Sequence, residues 1–284
     1  MSAPLGEGQT LVLGAVAGAT IVLGLPLGRV RAPRPALRQF LNALAIGILG
    51  FLLWDVLSGA FEPVDGALAD LHEQTAGIGP VFGYGLLFFG GLTLGLMGLV
   101  YYERWLGRRR SAATHRTLSA AAVTDRPERG VAAWSVARQT ALLIAVGIGL
   151  HNFGEGLAIG GSAATGAIGL ATVLVIGFAL HNATEGFGIV GPLGDVKPSW
   201  RWLALAGLIG GGPTFIGSMV GYNVTSQPLE LLFYAVAGGA ILYVIGEIWH
   251  GMRRYGHRER GLVLLCAGFT AGVLTDLVVA YGGG

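Results

Sequence analysis

Two short stretches of the sequence carry the residues best suited to bind a metal ion. Residues 150–156 read L-H-N-F-G-E-G and residues 180–186 read L-H-N-A-T-E-G, so the pattern L-H-N-x-x-E-G occurs twice. In each copy a histidine and a glutamate stand four positions apart, which places them on one face of an α-helix. The asparagine that follows the histidine is rotated by about 100° and flanks that face. Each stretch therefore offers an imidazole nitrogen, an amide oxygen and a carboxylate side by side.

This set of donor atoms suits a first-row divalent ion such as Zn²⁺, which takes nitrogen and oxygen ligands in a tetrahedral arrangement. Two glutamates balance the charge of one such ion, which removes the cost of an unpaired buried charge. The single cysteine, Cys266, excludes a cysteine-based zinc site. One copy alone would equally suit a polar contact between helices, whereas two copies favour a binding site. The predicted ligands are His151, Glu155, His181 and Glu185, with Asn152 and Asn182 beside them.

The composition indicates the environment in which the helices that carry these motifs must fold. Of the 284 residues, 53% are apolar and only 12% are charged, whereas a soluble domain has about 25% charged residues. A membrane-spanning helix needs about 20 mainly apolar residues. Eight runs qualify, at 10–28, 37–61, 80–103, 136–159, 165–190, 201–222, 229–250 and 261–281. The sequence predicts an all-α integral membrane protein, with eight transmembrane helices in a single domain over residues 1–284.

The distribution of basic residues predicts the orientation in the membrane. All 18 Lys and Arg residues lie in or beside the first, third, fifth and seventh connections, and the second, fourth and sixth connections have none. Basic residues remain on the cytoplasmic side, so both termini are predicted to be extracytoplasmic. We expect a multi-pass protein of the plasma membrane, namely a prokaryotic inner membrane. The longest connection, residues 106–135, is predicted to be a mobile cytoplasmic linker between helices three and four.

Both motifs are predicted to lie near the middle of the bilayer. His151 is 13 residues past Arg138, which corresponds to about 20 Å at about 1.5 Å per residue. His181 lies about 15 residues inside the outer start of the fifth helix, which runs in the opposite direction. The two motifs can therefore face each other across a short helical hairpin.

Other ionisable residues lie nearer the helix ends, and ionisable groups in membrane helices typically mark ion pathways. Glu247 and His250 are three positions apart near the cytoplasmic end of helix seven and form a candidate exit site. Their alternative role is an interfacial pair beside the arginines that follow. Asp55 of helix two, together with the acidic second connection, is a candidate entrance. Its alternative role is a polar group hydrogen-bonded between helices.

The paired motif resembles that of the ZIP (zinc/iron-regulated transporter-like) metal transporters, whose fourth and fifth helices typically carry H-N-x-P-E-G. The resemblance implies uptake into the cytoplasm of a divalent metal, with Zn²⁺ first and Fe²⁺, Mn²⁺ or Cd²⁺ as alternatives. The metal is then a transported substrate, and the protein is not an enzyme. The resemblance also implies that helices one, four, five and six move against the others, and that the protein forms a homodimer, as family members often do.

The family pattern further implies how the six ligands divide between two metal positions. The histidines and glutamates form the primary site, and Asn152 and Asn182 contribute to a second position bridged by the glutamates. The sequence departs from the pattern where Gly154 and Thr184 replace the motif proline. In helix six the family often has E-P-x-G-A, and Gly212 stands where that glutamate is expected. We therefore expect one dominant metal position, or a second position that binds only weakly.

Two other functions use the same residues. A proton-coupled carrier or channel would use the His/Glu pairs as a proton relay. An intramembrane zinc hydrolase would require a third histidine or an H-E-x-x-H motif, and these helices contain neither. The expected partners are divalent metal ions and the lipid bilayer, and no nucleic-acid-binding module is recognisable.

Overall fold

Eight α-helices make up most of the structure, a computed structural model that describes residues 5–29, 35–119, 134–166, 168–194, 196–224, 226–252 and 258–282. They are α1 (Glu7–Ala19), α2 (Pro35–His72), α3 (Gly79–Ser119), α4 (Val136–Ala164), α5 (Ile168–Val190), α6 (Trp200–Asn223), α7 (Gln227–Met252) and α8 (Arg258–Gly282). The described residues contain no strand. The prediction of an all-helical fold with eight helices is confirmed.

Seven helical segments of the described residues are long and apolar enough to cross a membrane, and together they make this a multi-pass membrane protein. Six of them belong to α2, α3, α4, α6, α7 and α8, and the seventh joins α1 to the 3₁₀ turns that follow it. The remaining helix, α5, has 23 residues. Several side chains in its first half lie outside the described part of the chain.

Two helices extend further than their apolar runs predict. α2 continues to His72, so Glu62, Asp65 and Asp70 lie on a helix rather than in a connection. α3 continues to Ser119, so the first part of the predicted linker is helical, and residues 120–133 lie outside the described residues. Polar residues such as Arg and Glu are good helix formers, so a helix need not end where its apolar run ends.

Hydrogen bonds between helix termini show which ends lie together. At one end Asn223 Nδ2 donates to Glu7 Oε1 at 3.1 Å, and Tyr84 Oη donates to Gln227 Oε1 at 3.1 Å. We call this the acidic end, because the acidic C-terminal part of α2 lies there. The opposite end, the basic end, contains the C-terminus of α3 and the N-terminal parts of α4 and α6. There Arg29 Nη1 donates to the carbonyl oxygen of Pro198 at 2.5 Å.

The helices form two bundles that pack side by side. α1, α4, α5 and α6 make their most extensive contacts with one another, and α2, α3, α7 and α8 do the same. We call these the motif bundle and the partner bundle, since both L-H-N-x-x-E-G motifs belong to the first. The bundles meet mainly where α4 packs on α7 and where α5 packs on α2 and α8.

Glycines allow backbones to touch within each bundle. A Cβ at Gly156 of α4 would collide with the carbonyl oxygen of Thr214 on α6, and a Cβ at Gly47 of α2 would collide with that of Leu265 on α8. Small residues permit such close approach between membrane helices. Between the bundles, Gly147 and Gly154 of α4 instead first meet side chains of α7. Backbone-to-backbone packing therefore holds each bundle together more tightly than it holds the two bundles to each other.

Candidate metal centre

The two motifs meet in the interior and form one compact cluster of nitrogen and oxygen atoms. His151, Glu155 and His181 each bring one ligand atom within 4.8 Å of the others. Glu155 Oε1 lies 3.0 Å from His151 Nε2 and also contacts His181 Nε2. Glu185 Oε1 lies 3.8 Å from His151 Nε2. Because α4 and α5 are antiparallel neighbours, the i, i+4 faces of the two motifs are brought into direct contact.

The two copies of the motif are not equivalent in the structure. Glu155 contacts both histidines, whereas neither carboxylate oxygen of Glu185 has a hydrogen-bond partner among the described residues. The side chain of Glu185 is completely buried. Glu185 therefore depends on its ion-pair contact with His151, and its two carboxylate oxygens are donor atoms of the kind that bind divalent cations.

The two asparagines fix helices to one another and leave their amide oxygens free. Asn152 Nδ2 donates to the carbonyl oxygen of Gly210 on α6 at 2.9 Å, and Asn182 Nδ2 donates to that of Ala17 on α1 at 3.1 Å. Both amide oxygens are buried without a hydrogen-bond partner among the described residues. Since the amide nitrogens are already engaged, the oxygens are the atoms that remain available to a cation.

A cavity of about 220 Å³ leads from the cluster towards the acidic end. His151, Glu155 and His181 line its inner part, and Asp55 of α2 lies on its wall. Asp276 of α8 lines the same cavity, and both aspartates are exposed. The cavity thus connects two accessible carboxylates with the cluster.

Two other positions that the sequence singled out lie outside this cluster. Glu247 is half-buried and His250 is exposed near the C-terminus of α7, at the basic end, and neither lines the cavity. A Cβ at Gly212 would meet only Leu208 of its own helix within 4 Å. Position 212 therefore does not face the cluster, and the α6 residue whose backbone contacts it is Gly210.

Asp276 and Tyr234 also line the cavity, although neither was among the residues predicted for the site. Asp276 carried a recognisable signal, because it is an ionisable residue within the eighth apolar run. Tyr234 of α7 carried none: its ring packs against Gly154 and Gly59, and only the tertiary structure brings these residues together.

Comparison with known proteins identifies relatives along most of the chain. The protein is 30% identical over 245 residues to the zinc transporter ZupT of Escherichia coli K12, strain DH10B, a match that covers 84% of each chain. The zinc transporters ZupT of strains O157:H7 EC4115 and O9:H4 HS match with the same identity and coverage. No family model matches the sequence. Identity at this level over most of both chains, together with the paired motif that meets in the interior, shows that the chain belongs to the ZIP family of metal transporters.

Proposed function

We propose that this protein carries Zn²⁺, or a similar divalent transition metal, through the bilayer into the cytoplasm by way of the cluster of His151, Glu155, His181 and Glu185. The observation that carries the proposal is a set of imidazole and carboxylate groups, buried except for the partly exposed His181, at the inner end of a cavity lined by aspartates. The name of the ZupT relatives supports zinc as the substrate. Their family is one of transporters, so the chain is a transport protein and not an enzyme.

The orientation in this proposal follows from charge. The basic end faces the cytoplasm, in agreement with the retention of Lys and Arg on that side, and α5 is the eighth transmembrane helix. The cavity then opens outward, and the conformation described here is the one that receives metal from outside. Asp55 attracts the ion at the entrance, and Glu247 with His250 receives it at the cytoplasmic end. An inner membrane location and a homodimer complete the proposal by resemblance to the family.

Alternating access is the proposed mechanism, and the packing of the two bundles supports it. Each bundle contains close backbone contacts at glycines, such as Gly156 against α6, that leave no room for a side chain. The glycines at the boundary between the bundles first meet side chains, which can change rotamer as the bundles move. Movement of the motif bundle as one body would carry all six ligands together, because every one of them is on α4 or α5.

Metal uptake into proteoliposomes tests the function. We expect saturable Zn²⁺ uptake by the wild type and at least a tenfold lower rate for His181→Ala/Glu185→Ala. The matched control is His72→Ala/Glu73→Ala, which removes the same residue types from the exposed acidic end. Uptake that persists in the first variant would move the pathway away from the cluster. Comparison of Zn²⁺, Fe²⁺, Mn²⁺ and Cd²⁺ in the same assay identifies the preferred ion.

The same titratable groups would suit a proton relay, so the experiment also measures proton flux. A relay predicts proton flux without metal and no binding of metal to the cluster. The proposal predicts stoichiometric metal binding that depends on both histidines. An intramembrane hydrolase is disfavoured by the relatives, which are named as transporters.

A further inference from the structure

Two arginines from distant parts of the chain converge on the short connection between α5 and α6. Arg29 ends the 3₁₀ turns that follow α1, and its Nη1 donates to the carbonyl oxygen of Pro198 at 2.5 Å. Its guanidinium also lies 4.6 Å from the centre of the Trp200 ring. Arg138 of α4 donates from Nη2 to the carbonyl oxygen of Lys197 at 3.5 Å. Three separate segments thus bring positive charge to one place at the basic end.

The protein does not balance this positive charge with a nearby carboxylate. We define the cationic patch as Arg29, Arg138, Lys197 and Arg201, of which the last two are exposed. The two arginines that converge on the connection contact neutral groups, namely two carbonyl oxygens and an indole ring. No ion pair joins a member of the patch to a carboxylate within the described ranges of the chain. A guanidinium has five N–H donors and these bonds occupy few of them, so the patch retains the capacity to bind an anion.

The patch lies at the level where a membrane has its lipid headgroups. The spanning segment that includes α1 ends at Arg29, the segment of α4 begins at Val136, and that of α6 begins at Trp200. The side chain of Trp200 is 62% exposed, and exposed tryptophans are typical of the boundary between hydrocarbon and water. Basic pockets between spanning helices at this level bind anionic headgroups. Lipid phosphates are therefore the anions that a patch at this depth meets.

An apolar seam continues from the patch into the hydrocarbon region. The 3₁₀ turns after α1 pack against α6 at Gly207, where a Cβ would lie 3.0 Å from Cδ1 of Leu25 and 3.4 Å from Cγ2 of Val22. Exposed leucines flank this contact on both elements, and they are Leu23, Leu27, Leu205 and Leu208. Leu205 follows Arg201 by one helical turn and so shares its face. The acyl chains of a lipid whose phosphate lies at the patch would therefore meet apolar surface along the seam.

We propose that the cationic patch binds the phosphate of an anionic phospholipid, whose acyl chains lie along the seam between the 3₁₀ turns and α6. Arg29 and Arg138 hold the connection in place through its carbonyl oxygens and add their charge. Lys197 and Arg201 supply exposed charge from the connection itself and from the first turn of α6. A bound lipid ties the end of the first spanning segment to the start of α6. It thus stabilises the motif bundle at a surface remote from the metal cluster.

Thermal unfolding of the full-length protein in detergent tests this proposal. We expect phosphatidylglycerol to raise the Tm of the wild type by at least about 3 °C more than phosphatidylcholine does, because a ligand that binds only the folded state stabilises it. Lys197→Gln/Arg201→Gln should lose most of this difference, although its Tm in phosphatidylcholine should equal that of the wild type. Both substitutions leave the hydrogen bonds of Arg29 and Arg138 in place, because those bonds go to backbone oxygens.

The matched control separates a defined site from diffuse surface charge. Arg108→Gln/Arg260→Gln removes the same charge from exposed positions in the C-terminal part of α3 and the first turn of α8, and it should retain the full difference in Tm. Equal losses in the two double variants would overturn the proposal. A shift of the same size with glycerol phosphate, which has no acyl chains, would also overturn it, because the site would then bind a soluble phosphate.

Native mass spectrometry supplies a second measurement. The wild type and the control should retain one phosphatidylglycerol after the detergent is removed, and Lys197→Gln/Arg201→Gln should retain at least threefold less. Equal retention by all three proteins would contradict the assignment of the patch. Neither measurement involves metal, so a negative result would leave the proposed transport function untouched.

Discussion

The ring of Tyr234 on α7 occupies the space that a side chain at position 154 of α4 would need. A Cβ at Gly154 would lie 2.9 Å from Cδ1 and 3.0 Å from Cε1 of that ring. Gly154 precedes Glu155, so this contact between the bundles lies beside the metal cluster. The ring of Tyr234 therefore explains why glycine, which has no Cβ, replaces the motif proline at position 154.

Replacement of Gly154 by alanine should destabilise the protein by about 1–3 kcal/mol, the usual cost of overpacking. The control is Gly98→Ala, because a Cβ at position 98 meets nothing within 4 Å. This variant measures the gain in stability that alanine gives through helix propensity alone. Addition of Tyr234→Ala to the Gly154→Ala variant should relieve the collision. Thermal unfolding in detergent of the wild type, the two single variants and the double variant measures the coupling between the two positions. If the losses of stability caused by the two single substitutions simply added in the double variant, the contact between Tyr234 and position 154 would be contradicted.

Asn152 is expected to bind metal through its oxygen and to fix α6 through its nitrogen. Asn152→Asp keeps an oxygen but loses the donor to Gly210, so it should lower stability by about 1–3 kcal/mol and largely preserve Zn²⁺ affinity. Asn152→Leu loses both groups and should weaken binding by roughly tenfold or more. Titration calorimetry provides the affinities. Wild-type affinity in the leucine variant would remove Asn152 from the ligand set.

Asp55 and Asp276 are expected to raise the local concentration of cations at the cavity mouth. Asp55→Asn/Asp276→Asn should increase the KM for uptake by roughly threefold to tenfold at low ionic strength, with little change in the maximal rate. The difference should shrink in high salt, because exposed charges are screened. Glu62→Gln, an exposed carboxylate of α2 that does not line the cavity, is the control. An unchanged KM would show that the two aspartates do not recruit the ion.

Gly156 should tolerate no side chain, because the group that a Cβ would strike is backbone. Gly156→Ala collides with the carbonyl oxygen of Thr214 and approaches Cα of Gly217 within 2.8 Å. The backbone of α6 cannot move aside as easily as the side chain of Tyr234 can. Gly156→Ala should therefore destabilise the protein more than Gly154→Ala does. Thermal unfolding of the two variants side by side makes the comparison, and equal losses would argue against rigid packing of the motif bundle.

Sequence patterns sufficed for the helices and for the pairing of the motifs. Apolar runs of about 20 residues predict spanning helices from composition alone, and an i, i+4 spacing predicts a shared face. The helix ends were less predictable, since α2 continues through acidic residues to His72. Tyr234 could not be inferred as a partner of Gly154, because this contact depends on how two bundles pack.

The two copies of the L-H-N-x-x-E-G pattern occupy unequal positions in the structure. Glu155 contacts both histidines, whereas neither carboxylate oxygen of Glu185 has a hydrogen-bond partner among the residues that the structure describes. The two copies of the motif are thus not structurally equivalent. The same substitution is expected to have different effects in the two copies, so a harmless substitution in one copy does not predict the effect in the other. Exchange of residues 151–155 with 181–185 would preserve the composition of the site and still yield a different protein.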